Sequence, residues 1–379
     1  MRDSGASRVY SLTTTTQLPP REVMLSVTKN KKQLIQLIVL DLMSNKALLD
    51  GKVIVTGASS IPVEIALSNI TQRVDMRNTH EEADTIIIHQ ILKADVENVV
   101  VVADDTDLFV LLCHFIFNKI IRGQVKMVSP KKDRKMIDIN RTVLEHSGVM
   151  ENLLAAHGLS GCDTVATYFG IGKSSVLKIL KTNKYPLDAL GDQDSPLQNV
   201  FQQATPFILA CYGLSKCQTM TEGRQKMWSQ KVGRTIGGAP KLQTLPPTTE
   251  AFEMNIARAH LQVAIWIHAE YPDPPSLNPE LYGWHRDGTC LTPLALPPNV
   301  HQAPDQLLKL IKCACDSAQS CKSKRCGCNT ADMACTDFCA CRATLRSCFN
   351  PKTRERLQII EEDEDSNDEM TDEHIYESD

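Results

Sequence analysis

The stretch Val99-Val100-Val101-Val102-Ala103-Asp104-Asp105-Thr106-Asp107 decides how this chain folds. Four consecutive valines predict a β-strand that is buried on both faces, as is typical of a parallel sheet. The strand ends in a group of aspartates, and ligands of open α/β sheets bind at the carboxyl ends of the strands. Carboxylate oxygens at that place suit Mg²⁺ or Mn²⁺. Capping of the next helix by an aspartate explains the same residues, and this stretch alone leaves the two interpretations equal.

Length and composition indicate a soluble protein of two or three domains. The chain has 379 residues, of which 42% are hydrophobic, enough for a core. We find no apolar run of the roughly 18–20 residues that a membrane span needs, and residues 1–20 lack the apolar segment of a secretory signal. We therefore expect an intracellular protein with reduced thiols and no membrane partner.

The charge of the chain is unevenly distributed. The net charge is −4, but residues 361–379 contain eleven Asp or Glu and no Lys or Arg. The rest of the chain is therefore basic, which favours a polyanionic partner, with the acidic end as a disordered modulator. A plain solvated tail explains the acidic end equally well.

Strand and helix patterns alternate on both sides of the valine run. The predicted helices of the first half are 31–43, 62–69, 80–93 and 106–121. The predicted strands are 52–56, 99–103, 125–128 and 136–139. Beyond 139 we predict the helices 142–158, 174–181, 196–212, 219–232 and 249–270, with Pro- and Gly-rich linkers at 233–248 and 271–305. This order predicts an α/β fold with a parallel sheet and a helical extension.

Acidic residues recur in two further segments. Glu82 and Asp84 stand at the start of a predicted helix, where both can approach one cation and complement the helix dipole. Asp163 lies in the glycine-bracketed turn Gly158–Asp163, at the edge of another helix. We interpret the nearby histidines as packing or surface residues: His80, His89, His114 and His157.

A glycine-rich turn follows Asp163. In Gly170-Ile171-Gly172-Lys173 the two glycines allow a tight turn, and the amides of the next helix can hold a phosphate while Lys173 adds charge. The turn is not a Walker A loop, because the first glycine of that motif would fall on Thr167. It therefore predicts a site that holds a phosphate, but not a nucleotide in the manner of a Walker A loop.

In this order the motifs resemble the flap-endonuclease branch of the PIN-like nucleases, over about residues 50–185. The resemblance implies a PIN-like fold and phosphodiester hydrolysis at a two-metal site with Mg²⁺ or Mn²⁺. It assigns as metal ligands Glu82, Asp84, Asp105, Asp107 and Asp163. It also implies that the segment with Gly170, Gly172 and Lys173 grips duplex DNA by its phosphates.

The chain departs from that family before Glu81. The family also places aspartates on its N-terminal strands, whereas the best early strand here, Val53–Thr56, ends in Thr-Gly. Half of the expected set of ligands is therefore missing. Either the domain is an N-terminally incomplete version of the family, which we favour, or the fold is kept without cleavage.

Nine of the fourteen cysteines lie close together near the C-terminus. An odd number and the lack of an export signal argue against disulfides. Zinc prefers four thiolates, and nine cysteines complete three such sites if three of them each bridge two ions. Without metal this segment has few apolar residues, and we expect it not to fold. The cysteines are Cys313, Cys315, Cys321, Cys326, Cys328, Cys335, Cys339, Cys341 and Cys348.

The cysteine spacing resembles the tesmin-type CXC domain, a zinc-bound module that binds DNA, over Cys313–Asn350. Family members often carry a tyrosine where this chain has Arg325, and arginine also reads narrow minor grooves. A protein-binding zinc knot is the alternative. The basic residues expected at DNA phosphates are Lys322, Lys324, Arg325, Arg342 and Arg346.

The two resemblances together define the predicted organisation. It consists of a disordered N-terminus (1–30), an N-terminally incomplete PIN-like domain (31–185), a helical extension and linker (186–305), a CXC zinc domain (306–352) and an acidic disordered tail (353–379). This combination resembles uncharacterised, transposon-associated animal proteins. We expect a DNA-binding protein with a nuclease-derived domain, nuclear or alternatively cytoplasmic. An active two-metal, structure-specific nuclease and a non-catalytic protein-interaction scaffold are the alternatives.

Overall fold

The computed structural model divides the chain into two compact units, residues 1–297 and 298–379. In the larger unit it describes residues 9–57, 59–131, 134–231, 242–288 and 290–297. In the smaller unit it describes residues 313–315, 320–323, 325–330, 334–336, 339–344 and 347–355. No helix in these ranges is long and apolar enough to cross a membrane.

Helices dominate the described part of the larger unit. They are α1 (Arg21–Leu25), α2 (Thr28–Ser44), α3 (Ala83–Ala94), α4 (Thr106–Phe117), α5 (Ile139–Glu145), α6 (Ser147–Ser160), α7 (Lys173–Leu180), α8 (Leu197–Cys211), α9 (Met220–Lys231) and α10 (Thr249–Ile267). The strands are β1 (Lys52–Val55), β2 (Val63–Ala66), β3 (Ile70–Gln72), β4 (Asn98–Val102), β5 (Gln124–Val128), β6 (Ile137–Asp138), β7 (Trp284–Asp287) and β8 (Cys290–Pro293).

The mixed α/β class is confirmed, but the parallel sheet is small. β4 and β5 pair in parallel, with Val101 opposite Met127, whereas β6 joins β5 antiparallel. β1, β2 and β3 form a separate antiparallel sheet. The helix predicted at 62–69 is wrong, because β2 pairs with β1 on one side and β3 on the other. Ladder hydrogen bonds on both edges outweigh the weak helical pattern of so short a segment.

The prediction that β4 is buried on both faces is also wrong. Val101 is buried, whereas Val100 and Val102 are 61% and 66% exposed. Successive strand residues point to opposite faces, and the core covers the face that bears Val99 and Val101. β4 is moreover an edge strand among the described strands. The apolar run therefore encodes a half-covered edge strand rather than the centre of a sheet.

The core is built around α4, whose Leu111, Leu112 and Phe115 are fully buried. The helix packs against α5 and α6. Phe207 of α8 and Trp266 of α10 belong to the same hydrophobic cluster. The predicted helical extension is therefore part of the same compact unit as the α/β elements, not an appendage to them.

The segment after α10 is not the linker that its prolines and glycines indicate. Residues 284–293 form the hairpin β7–β8. Arg258 of α10 is buried, and its guanidinium donates to the carbonyl oxygens of Gly283 at 2.9 Å and Leu294 at 2.7 Å. This one side chain satisfies backbone carbonyls on both sides of the hairpin, which ties the hairpin to α10.

The disorder expected for residues 1–30 does not hold for residues 9–30. The backbone N–H of Tyr10 donates to Asn30 Oδ1 at 3.0 Å, and that of Leu12 donates to Gln33 Oε1 at 3.0 Å. Met24 and Val27 are buried. Two amide side chains of α2 thus bind an extended segment that has little hydrophobic periodicity. Residues 1–8 and the acidic residues from 356 onwards lie outside the described ranges.

Regular structure is sparse in the described part of the smaller unit. Its described residues form a 3₁₀ turn at Ser320–Lys322, a short helix, α11 (Gly327–Thr330), and a helical segment at residues 351–355. The buried side chains that cluster there are the nine cysteines and Ala343. The thiols therefore occupy the position that apolar side chains hold in an ordinary core.

Leu111→Ala tests the role of α4 in the core. Leu111 is fully buried, so its truncation leaves a cavity and should lower the free energy of unfolding by about 2–5 kcal/mol. Urea unfolding followed by tryptophan fluorescence measures this. Leu144→Ala, at a side chain that is 78% exposed on α5, is the matched control and should change stability by less than about 0.5 kcal/mol. Equal effects of the two substitutions would contradict this placement of the core.

Candidate metal centres

Five acidic residues from three segments converge at the carboxyl end of β4. Glu82 and Asp84 come from the start of α3, Asp105 and Asp107 from the start of α4, and Asp163 from the turn after α6. Burial and, to a smaller extent, repulsion by the other four carboxylates together raise the pKa of Asp84 to about 7. The structure thus brings together the whole acidic set that the motifs predicted. We refer to these five residues as the acidic cluster.

Glu82 is held by α10, which the sequence did not connect with this site. Gln262 Nε2 donates to both carboxylate oxygens of Glu82, at 3.0 and 3.2 Å, and Trp266 Nε1 donates at 3.2 Å. Thr164 donates to Gln262 Oε1 at 2.6 Å, which fixes the orientation of that amide. Burial raises the pKa of Glu82, and these donors lower it only in part.

Asp107 has a partner on α6. Nε2 of His157 lies 2.7 Å from Oδ1 of Asp107, and the imidazole lies against Trp266 with ring centroids 5.9 Å apart. His157 is only 5% exposed. The packing role that we assigned to His157 is confirmed by its burial and its contact with Trp266, whereas its contact with a carboxylate of the cluster was not predicted.

Asp105 caps α4. Its Oδ1 accepts a hydrogen bond from the backbone N–H of Asp107 at 2.8 Å, so the capping interpretation is confirmed. Capping does not compete with metal binding, because a carboxylate has a second oxygen. Asp104, the neighbour, instead pairs with Arg134 at 2.5 Å and Lys131 at 3.5 Å. The basic turn after β5 therefore lies beside the acidic cluster.

The carboxylate oxygens of the acidic cluster do not form a compact ligand set. Among the described residues, the sets of three or more Asp, Glu, His or Cys whose ligand atoms all lie within 4.8 Å of one another consist of cysteines alone. The carboxylates are close enough to repel but do not form a closed cage. Oxygens in such a set can accept Mg²⁺ or Mn²⁺ when the side chains turn inward around the ion.

The turn that carries Asp163 depends on Gly161. Residues Cys162 and Val165 exchange two backbone hydrogen bonds, at 3.0 and 3.1 Å, which leaves Asp163 exposed at the tip. Gly161 has φ +116°, and a Cβ there would lie 2.9 Å from the Cα of Thr167. The glycine therefore meets both a conformational and a steric requirement.

Lys173 does not point where we expected. Gly172 precedes α7 as its N-cap and is exposed, as is Gly170 with φ +75°. Much of Lys173 is exposed too, but its ammonium turns inward and donates to three oxygens at the end of α6. Desolvation lowers its pKa to about 8, against the attraction of Asp107. In this arrangement the ammonium binds oxygens of the protein and is not directed at a bound phosphate.

The nine predicted zinc ligands come together in the smaller unit. All are thiols without a disulfide, and all are at most 8% exposed. Their sulfur atoms form three overlapping sets within 4.8 Å, which are Cys313–Cys315–Cys321–Cys326, Cys313–Cys321–Cys335–Cys341 and Cys313–Cys326–Cys328–Cys335. Four thiolates so close together suit a tetrahedral metal such as zinc. This cysteine cluster is consistent with the zinc module that the spacing predicted.

Backbone amides support the thiols. The N–H groups of Cys313 and Thr336 each donate to Cys339 Sγ at 3.3 Å. Burial would raise the pKa of Cys339, but these two donors, the Thr336 hydroxyl and the Cys328 thiol together lower it to about 7. Asn350 Nδ2 donates to Cys335 Sγ at 3.5 Å. N–H donors of this kind stabilise negative sulfur and orient it, as required of a metal ligand.

Basic residues stand directly beside three cysteines of the cluster in the sequence. Lys322, Arg325 and Arg342 are exposed, as a contact with DNA phosphates requires. Arg342 lies in a turn with φ +52°. Lys324 and Arg346, the other basic residues predicted to bind DNA, lie outside the described residues.

Sequence reasoning missed His157, Gln262 and Trp266. The signal was present for two of them, because Gln262 and Trp266 lie four residues apart and therefore on one face of α10. A polar residue on such a face needs a partner when it is buried. The sequence does not say that the partner is Glu82, since that contact spans 180 residues.

Comparison of the chain with protein-family models, with curated proteins and with solved structures gives no match.

Asp84→Asn tests the electrostatics of the acidic cluster. The folded pKa of Asp84, about 7, lies above the ordinary value of 3.8, so the folded state holds this proton more tightly than the unfolded chain. The stability that results is present below about pH 4 and is lost as the pH rises through about 7. In metal-free buffer, the gain in stability from Asp84→Asn should therefore be larger at about pH 8 than at about pH 5.

Urea unfolding followed by tryptophan fluorescence measures that gain and reports on the larger unit, which contains all three tryptophans. Asp287→Asn, at an exposed position of β7, is the control and should show no such trend. A gain for Asp84→Asn that is the same at both pH values would show that Asp84 is not crowded by other carboxylates.

Proposed function

We propose that this protein binds DNA through a zinc-organised, CXC-like module and carries a divalent-cation site of the PIN-like nuclease type. The observation that carries the proposal is the burial of nine clustered thiols in a unit whose described residues add only Ala343 to the same buried cluster. Such a segment gains its folding free energy from metal binding. The exposed cations around it then have fixed positions from which to contact phosphates.

The distances support a cluster of three zinc ions. Cys335 Sγ lies 3.9 Å from Cys313 Sγ and 3.8 Å from Cys326 Sγ, so these three cysteines form an inner group. Three zinc ions with four thiolates each require three bridging sulfurs among nine. We assign the bridging role to this inner group.

The other six cysteines then bind one ion each, in pairs. Cys315 and Cys321 complete one site with Cys313 and Cys326, and these four sulfurs form one of the close sets. Cys328 and Cys339 form a second pair, with their sulfurs 3.6 Å apart. Cys341 and Cys348 remain as the third pair, in which each thiol shifts the pKa of the other.

Active cleavage is a second candidate function, favoured by the acidic cluster. A divalent cation supplies an activated water and stabilises the leaving oxygen in phosphodiester hydrolysis. Asp84, Asp105, Asp107 and Asp163 are the residues that would hold it, while Glu82 is held in place by α10. Ligands from the N-terminal strands of the family are missing here, so we place DNA binding first and catalysis second.

Cys326→Ser tests the zinc module. Since Cys326 belongs to the inner group, its loss should release zinc from two sites and abolish DNA retention. Elemental analysis should find about three zinc ions per wild-type chain and about one in the variant. Electrophoretic mobility shifts measure retention of duplex DNA by the full chain.

Cys290→Ser is the control for this experiment, because Cys290 is exposed on β8 and outside the cluster. It should keep both zinc and DNA binding. DNA affinity of the wild type should fall steeply with salt and should be lost on chelation. Zinc binding without salt-dependent DNA affinity would favour the protein-interaction scaffold instead.

The double variant Asp105→Asn, Asp107→Asn tests the cation site. Asparagine is also a good N-cap, so α4 keeps its cap while two charges are lost. The zinc-loaded wild type should bind Mn²⁺, and the double variant should bind it at least about 10–100-fold more weakly. Electron paramagnetic resonance of free Mn²⁺ measures both.

The same proteins distinguish the two functions. Cleavage of a flapped DNA by the wild type with Mn²⁺, abolished in the double variant, would establish the nuclease. Mn²⁺ binding without cleavage would leave DNA binding as the function. If the wild type binds no Mn²⁺, the cation site itself is refuted.

A further inference from the structure

We propose that Lys173 is a positioning residue for the acidic cluster, fixing the last turn of α6 and, through it, the side chains of Asp107 and Asp163. This inference rests on the proposed cation site and adds a residue outside the acidic cluster that positions its side chains. It also replaces the role in phosphate binding that the glycine-rich turn predicts for Lys173.

The ammonium of Lys173 forms three hydrogen bonds. It donates to the carbonyl oxygen of His157 at 3.0 Å, to Ser160 Oγ at 2.9 Å and to the carbonyl oxygen of Gly161 at 2.6 Å. An ammonium has three donors, so this set uses all of them. The acceptors lie at the C-terminus of α6, where carbonyl oxygens lack helical partners and the helix dipole attracts a cation.

Two members of the acidic cluster depend on that turn. His157 contributes its carbonyl oxygen to Lys173 and its imidazole to Asp107, so one residue transmits the constraint from the ammonium to a carboxylate. Gly161 contributes its carbonyl oxygen to Lys173 and begins the tight turn that presents Asp163. One side chain therefore fixes two of the three segments that form the cluster relative to each other.

Charge favours the same arrangement. Asp107 attracts the Lys173 ammonium, as does the Cys162 thiol when it ionises. A cation near the cluster lowers the repulsion among its carboxylates without occupying the position of the metal ion. Residues that orient metal ligands in this way typically change metal affinity by about 10–100-fold when they are substituted.

Lys173→Met in the full, zinc-loaded chain tests the inference with two readouts. The first is the ¹⁵N resonance of the His157 imidazole, which reports on its contact with Asp107 without any divalent cation. The second is Mn²⁺ affinity from electron paramagnetic resonance. We expect a shifted His157 resonance and an affinity about 10–100-fold weaker than that of the wild type.

Three further variants sharpen the result. Lys173→Arg keeps the charge and hydrogen-bond donors and should restore much of the affinity. Ser160→Ala removes one acceptor and should shift His157 in the same direction by less, which decides the question if Lys173→Met does not fold. Lys178→Met, at an exposed lysine of the same helix, is the matched control and should match the wild type.

The outcomes separate this inference from the proposed function. An unchanged His157 resonance in Lys173→Met, or in Ser160→Ala if the first variant is unfolded, overturns the positioning role. Absence of Mn²⁺ binding in the wild type refutes the cation site, and the His157 resonance then still decides whether Lys173 fixes the turn. Loss of DNA affinity in Lys173→Met with His157 and Mn²⁺ affinity unchanged would restore the phosphate contact and also overturn the inference.

Discussion

The contact between Glu82 and α10 is the constraint on which the larger unit depends. Glu82 lies at the start of α3. Gln262 and Trp266 donate to it from α10, which is about 180 residues further along the chain. A carboxylate at this depth is costly unless donors surround it. Because those donors belong to α10, the acidic cluster can exist only when the helical extension is packed in the common core. Fold and candidate site therefore form together.

The smaller unit depends on a different constraint. Among its described residues, the clustered buried side chains are nine thiols and Ala343. Thiols repel one another when they ionise and contribute little core volume when they do not. The backbone N–H donors around Cys339 and the amide of Asn350 are placed as a bound cation would require. In the larger unit the carboxylates lie beside an extensive hydrophobic core, whereas in the described part of the smaller unit the ionisable thiols themselves form the buried cluster.

Local sequence patterns predicted the residues of both sites, whereas long-range contacts determine the burial and the hydrogen-bond partners of those residues. Helix and strand periodicity located α3, α4, α7, α8 and α10, and the order of the acidic motifs selected five residues that the structure does bring together. The sequence could not show that only one face of β4 is covered, since that depends on which elements pack against it. It also could not show the partners of Glu82, because they lie about 180 residues away in the chain. Nor could it show the inward turn of Lys173, because the acceptors of its ammonium are at the end of α6.

The cap on α4 has a consequence for the entropy of ion binding. A free aspartate on a surface must give up its rotamers to hold a cation, and that loss weakens binding. The rotamers of Asp105 are already restricted, because the N–H of Asp107 fixes its carboxylate as soon as α4 forms. The cost of ordering this ligand therefore falls on folding rather than on ion binding, and the proposed site is pre-organised at one corner before any ion arrives.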